Sequence, residues 1–102
     1  MNTPVYDFLI QYAQRDPVRL HMPGHKGRFG APALQRATTL DLTEITGADS
    51  LFEAEGILAE SERNAASLYG TAYTFYSCGG STLCIQTMLL LMKQQGRAVL
   101  AA

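Results

Sequence analysis

The sequence predicts an α/β fold in which one helix and a long irregular loop precede a second helix and a strand, turn, helix, strand unit. Three observations carry that reading. Residues 71–77, TAYTFYS, are rich in β-branched and aromatic side chains and read as a strand. The glycine turn at 78–80 leads into LCIQTMLLLMKQQ, an apolar helix that ends at Gly96. Residues 97–101, RAVLA, then read as a second strand, and a strand, helix, strand unit of this kind is parallel and right-handed.

The elements before that unit follow from local signals. Thr3 offers a capping residue and Pro4 a preset first turn, after which Val5, Phe8, Leu9, Tyr12 and Ala13 recur at helical spacing, so a helix is expected over residues 3–15. Asp16-Pro17 stops it. From there to about residue 50, Pro17, Pro23, Pro32 and scattered glycines allow no sustained period, and a long loop is expected with short helical turns around 32–37. A loop of that length inside a compact domain is usually functional, or lies against something outside the chain. Over residues 55–69, Leu58, Ala65, Ala66 and Tyr69 share an apolar face, Glu60, Glu62, Arg63 and Asn64 stay polar, and Gly70 stands at the C-cap position. The chain divides accordingly into an N-terminal helical segment, 1–18, a loop region, 19–54, and an α/β part, 55–102.

Composition narrows the function. At 102 residues and 47% hydrophobic content the chain has material for one modest core. Eight basic against nine acidic residues give a formal charge of -1, without the basic stripe that would follow a nucleic-acid backbone. The longest apolar run, residues 88–92, falls far short of the roughly 20 residues of a membrane span, and no charged leader precedes an apolar stretch at the N-terminus. A soluble, cytoplasmic protein is expected. Cys78 and Cys84 are too close in sequence to staple a fold and form no CxxC pair, so both read as reduced residues with packing or backbone-proximity roles.

Two stretches carry candidate chemistry. In the turn before the apolar helix, Gly79 and Gly80 let backbone approach a ligand, Ser81 and Thr82 supply hydroxyls, and first-turn N–H groups carry partial positive charge, a combination suited to a phosphate. A tight turn with Ser81 as N-cap explains the same residues, and neither GxGxxG nor GxxxxGK[ST] is present. The second stretch is RLHMPGHKGRFG, residues 19–30. His21 and His25 are four apart, but Pro23 and Gly24 argue against the helix that would aim both at a metal, and no metal site is assigned. Two readings of this loop stand side by side: a structural one, with histidines satisfying backbone carbonyls, and an active-site entrance, with His25 and Lys26 facing an anionic group or the substrate.

HMPGHKG at 21–27, DLTEITGADSL at 41–51, EGILAESERNAASLYG at 55–70 and GGSTLCIQTML at 79–89 stand in one order, and this set resembles the N-terminal part of the Orn/Lys/Arg decarboxylase family. The resemblance implies the start of a fold type I large domain, pyridoxal phosphate as cofactor, a basic amino acid (arginine, lysine or ornithine) as substrate in polyamine-type metabolism, and a homo-oligomer, at least a dimer. It implies that Gly80, Ser81 and Thr82 contact the cofactor phosphate, and that the 21–27 loop, with His25 and Lys26, lies at the active-site mouth near a subunit boundary. Many members have Asn-Gly where this chain has Gly79-Gly80, so only backbone contacts are expected from the first position. Lys26 and Lys93, the only lysines, match no Schiff-base position. The family's aldimine lysine lies beyond residue 102, as do the aspartate at the pyridine nitrogen and the histidine on the ring. A truncated chain is therefore expected, inactive by itself and without bound cofactor. Two alternatives are a fold type I aminotransferase or lyase of other specificity, and a non-catalytic fragment that self-associates.

Overall fold

The computed structural model describes residues 2–97 as four helices: α1, Pro4–Gln14; α2, Pro32–Leu40; α3, Ile57–Tyr69; and α4, Gly80–Gln94. Pro4 opens α1 at its first position, and the Asp7 carboxylate accepts from both Thr3 N (3.1 Å) and the Thr3 hydroxyl (3.0 Å), which ties the first turn to the residue before it. α1 packs on α2 and α3. Asn2 fastens its start to α3, accepting from Asn64 Nδ2 at 3.0 Å and donating to Glu60.

The helix over 3–15 and the α3 helix stand as expected, with Gly70 as C-cap in the left-handed region (φ 65°, ψ 32°). Both Gly70 N–H and Thr71 N–H donate to Ala66 O, which closes the last turn as a left-handed cap should. Tyr69, expected on the apolar face of α3, is exposed; Ala66 is the residue of that face that becomes buried.

α2 is a full nine-residue helix where the sequence suggested only short turns. Its inner face is polar: Gln35, Thr38 and Thr39 are half-buried while Leu34 is exposed, so no apolar period announces it.

The strand expected over 71–77 is corrected. No strand ladder forms among the described residues, and this stretch is unpaired. β-propensity reports a preference for a pleated, half-covered surface, and a ladder needs a neighbour. Here Tyr76 N donates to Glu62 Oε1 at 2.8 Å and the Tyr76 hydroxyl to Ser61 O at 3.1 Å, so side-chain contacts to α3 hold the segment. The second expected strand, 97–101, lies outside the described residues apart from Arg97.

α4 begins at Gly80 with Gly79 as its N-cap, so the alternative reading of the turn with Ser81 as N-cap does not hold. It packs against none of the other helices among the described residues, and Leu83, Ile85, Met88, Leu90 and Leu91 are each about half exposed, although a helix so apolar in sequence is normally covered. Cys78 and Cys84 are free and exposed, not packed. The radius of gyration is 17.6 Å, against about 13 Å for a compact domain of this length. Among the described residues, α1 packs with α2 and α3, and α4 stands apart from them with much of its apolar surface exposed.

Candidate functional site

Two of the sequence-selected stretches acquire definite geometry. The first is the 19–30 loop, which folds around Gly27. Gly27 is buried with φ +77°, which favours glycine, and a Cβ there would lie 2.6 Å from the Arg19 guanidinium carbon, so a larger residue would have to displace that side chain. Arg19 lies over the Tyr12 ring, 5.2 Å from its centroid, and donates to Thr39 O at 2.7 Å in the last turn of α2. A cation there meets both an aromatic face and the negative end of a helix.

His25 is held at both ring nitrogens. Gly27 N donates to Nδ1 at 3.0 Å, which assigns the proton to Nε2, and Nε2 donates to Asp41 Oδ2 at 3.1 Å. The Lys26 ammonium donates to His21 O, and Lys26 itself takes φ +53°. His21 donates through Nδ1 to Met22 O and accepts through Nε2 from the Tyr12 hydroxyl at 2.8 Å. The Met22-Pro23 peptide is cis. The histidines and the lysine thus satisfy backbone and carboxylate partners within the chain, in line with the structural reading. The Lys26 side chain stays on the outside of the loop, where a ligand can compete for it.

The second stretch is the start of α4. Gly80 has φ +67°, and a Cβ there would meet nothing within 4 Å, so the space over the first turn is open. Gly80, Ser81 and Thr82 are all exposed, and among the described residues neither hydroxyl makes a hydrogen bond. The first-turn N–H groups of a helix have no intrahelical acceptor. Donors, hydroxyls and the positive helix end converge on one accessible surface, and this donor set fits a phosphate. At Gly79 a Cβ would come within 2.8 Å of Leu83 Cβ. Glycine at that position therefore lets the helix start close against the incoming chain, and no side chain is available there to contact a ligand. No hydrogen bond among the described residues joins this turn to the 19–30 loop.

The sequence reading passed over Arg19, Gln35, Thr39 and Asp41, which hold the 19–30 loop in shape, and Asp49, which closes the loop before α3. Gln35 and Thr39 stand four apart on α2, a spacing that could have marked one polar face. Asp49 carries a stronger signal, an aspartate between alanine and serine ahead of a helix. It takes φ +67°, and its carboxylate accepts from Ser50 N (2.8 Å), Glu55 N (3.2 Å), Gly56 N (2.8 Å) and Leu58 N (2.9 Å). Desolvation pushes that carboxyl up, but the backbone N–H groups of Ser50, Gly56, Leu58 and Glu55 outweigh it and hold the group below its ordinary value of 3.8.

Comparison with known proteins adds what geometry alone lacks. The sequence model of the family described as Orn/Lys/Arg decarboxylase, major domain, matches residues 3–102. Among curated relatives, the uncharacterized protein YaaO of Bacillus subtilis is 33% identical over 98% of this chain and 22% of its own length. An arginine decarboxylase of Bacillus cereus is 31% identical over 96% of this chain and 23% of its own, and one of Halalkalibacterium halodurans is 32% identical over 96% and 21%. The chain thus spans little more than a fifth of the relatives it matches. No solved structure matches it.

Proposed function

Because the chain belongs to the Orn/Lys/Arg decarboxylase family, we propose that the protein carrying it is a fold type I pyridoxal-phosphate enzyme that decarboxylates a basic amino acid, arginine foremost. The observation that carries the proposal is the family match across residues 3–102, and the names of the arginine decarboxylases among its relatives favour arginine over lysine and ornithine. Because the chain spans little more than a fifth of these relatives, the activity is proposed for a protein of their length, with these residues as the first part of its major domain. The same reading makes that protein a cytoplasmic homo-oligomer.

Pyridoxal phosphate, when bound, supplies an electron sink for the pair of electrons left behind as CO2 departs. The role of this chain is to bind and to shape. The backbone N–H groups at the start of α4 and the hydroxyls of Ser81 and Thr82 would hold the phosphate, with Gly80 leaving room for its close approach. The 21–27 loop would border the substrate entrance, with Lys26 outermost and His25 fixed behind it by Asp41.

The test is CO2 release from arginine, lysine and ornithine by the complete protein supplied with pyridoxal phosphate. Turnover of arginine above the other two is the expected result. Turnover of none of them, with amino-group transfer from another amino acid, would replace this reading with a fold type I aminotransferase.

A further inference from the structure

The side chain of Gln35, on the inner face of α2, spans the loop at two points. Its Nε2 donates to Gly27 O at 2.8 Å and to Thr39 Oγ1 at 3.1 Å, and its Oε1 accepts from Phe29 N at 3.1 Å. One planar amide therefore satisfies the carbonyl of residue 27 and the N–H of residue 29, as a neighbouring strand would. The assignment of its oxygen and nitrogen is unambiguous, because reversing them would set a carbonyl oxygen against Gly27 O and an amide against Phe29 N–H.

What Gln35 holds is the turn that aims His25 and Lys26. Lys26 (φ +53°) and Gly27 (φ +77°) are consecutive left-handed residues, a conformation that an L-residue such as Lys26 adopts only when its surroundings impose it. Three restraints converge there: the Arg19 guanidinium covers Gly27, the Gly27 N–H is taken by His25 Nδ1, and the Gly27 carbonyl is taken by Gln35. Arg19 and Gln35 act one turn apart on α2, one through Thr39 O and the other through its own amide, so the helix sets the loop's geometry.

We infer that Gln35 is a positioning residue for the reaction, fixing the Lys26–Gly27 turn so that His25 and Lys26 are presented in one orientation to the substrate. This rests on the reading of the 21–27 loop as the substrate entrance. Gln35 itself touches no substrate. Its loss leaves the fold of α2 in place, because the helix's own hydrogen bonds do not use the side chain, and frees the turn to sample other conformations.

The experiment uses the complete protein and the variants Gln35→Leu, Gln35→Glu, Lys26→Met and the double variant Gln35→Leu/Lys26→Met. Gln35→Leu and Gln35→Glu should each lower kcat/KM for the amino acid by on the order of 10-fold or more, within the range that a small misplacement of a site group produces, with melting temperature and cofactor affinity held. Lys26→Met should cost little further in the Gln35→Leu background, since the side chain it removes is already misaimed. Independently of turnover, the Gly27 amide and the His25 ring nitrogens should shift in 15N spectra of both Gln35 variants. Losses that multiply in full in the double variant would overturn the inference, as would a Gly27 amide that does not move. If the wild-type protein turns over none of the three amino acids, the proposed reaction fails by itself, and the Gly27 and His25 signals still decide whether Gln35 holds the turn.

Discussion

The backbone N–H of Leu58 donates to Asp49 Oδ2 at 2.9 Å across nine residues of chain, so that a loop aspartate serves as the cap of α3. Gly56, at the formal N-cap position, has no side chain to do so, and its own N–H joins the same oxygen. One carboxylate thus closes the 49–58 loop and satisfies the helix start, where a negative charge also complements the helix dipole.

The first prediction concerns acid. The Asp49 carboxyl is held below 3.8 in the folded chain, so the folded state binds fewer protons than the unfolded one in that range. The stabilisation is complete above about pH 4, the unfolded value, and is lost as pH falls through the lower folded value. Helical signal followed by circular dichroism should fall below pH 3.8 in the wild type. Asp49→Asn should be less stable at pH 7 and should show a flatter acid limb; an unchanged acid limb in that variant would remove Asp49 as its source.

A second prediction concerns Gly27. Alanine there combines a left-handed φ of +77° with a Cβ 2.6 Å from the Arg19 guanidinium carbon. The backbone term alone is about 1–2 kcal/mol. Gly27→Ala should lower stability by at least that amount in denaturant unfolding. In an Arg19→Ala background the same substitution should cost only the backbone term, because the collision is gone. Equal losses in both backgrounds would mean that Arg19 moves aside freely.

The third prediction addresses the start of α4. Replacing Ser81 and Thr82 together by alanine removes two hydroxyl donors from a surface proposed to hold a phosphate, each worth about 1.5–3 kcal/mol when the acceptor is charged. Pyridoxal-phosphate affinity of the complete protein should weaken by about 2 kcal/mol or more, read by titration of the cofactor's visible absorbance. Gly80→Ala should act through the backbone, since φ is +67° and no neighbouring atom stands in the way. Affinity that survives the double alanine variant would place the phosphate elsewhere.

How much of this was legible in the sequence depends on what each residue answers to. Thr3-Pro4 and Gly70 act through their own backbone and immediate neighbours, and the helices that they start and stop appear within two residues of the expected places. α2 escaped because the face it turns inward is Gln35 and Thr39, which bond the loop at Gly27 O through polar atoms and leave no apolar period to read. Residues 71–77 carry strand composition, yet a strand requires a paired neighbour, and composition cannot supply one. At the glycine turn the residue types marked where the helix begins, but the alternative with Ser81 as its cap fails, because Gly79 passes close to Leu83 and is the boundary itself. The His25 and Lys26 side chains were singled out by residue type, whereas their partners Asp41 and His21 O emerge only from the folded loop.

The last prediction turns on α4. Phe75, Leu83, Met88, Leu91 and Met92 line a groove of about 540 Å3 beside residues 75–77, and the ring of Tyr73 stacks on that of Phe75 at 6.3 Å with both side chains about four-fifths exposed. The other helices do not reach this face, and an apolar surface that extends beyond a few hundred Å2 gains about 25 cal/mol for each Å2 it removes from water. A second copy of the same 102 residues offers a matching apolar face, and a twofold arrangement buries both at once. Studied by itself, the 102-residue chain should therefore associate, with a sedimentation coefficient that rises with concentration. Met88→Gln and Leu91→Gln place polar amides in the groove without touching the helix caps, and together they should return the chain to a monomer with its helical signal intact. A wild-type chain that sediments as a monomer at all concentrations would mean that the 71–77 segment or other parts of the chain fold over α4, and protection of its amides from hydrogen exchange would then identify the covering segment.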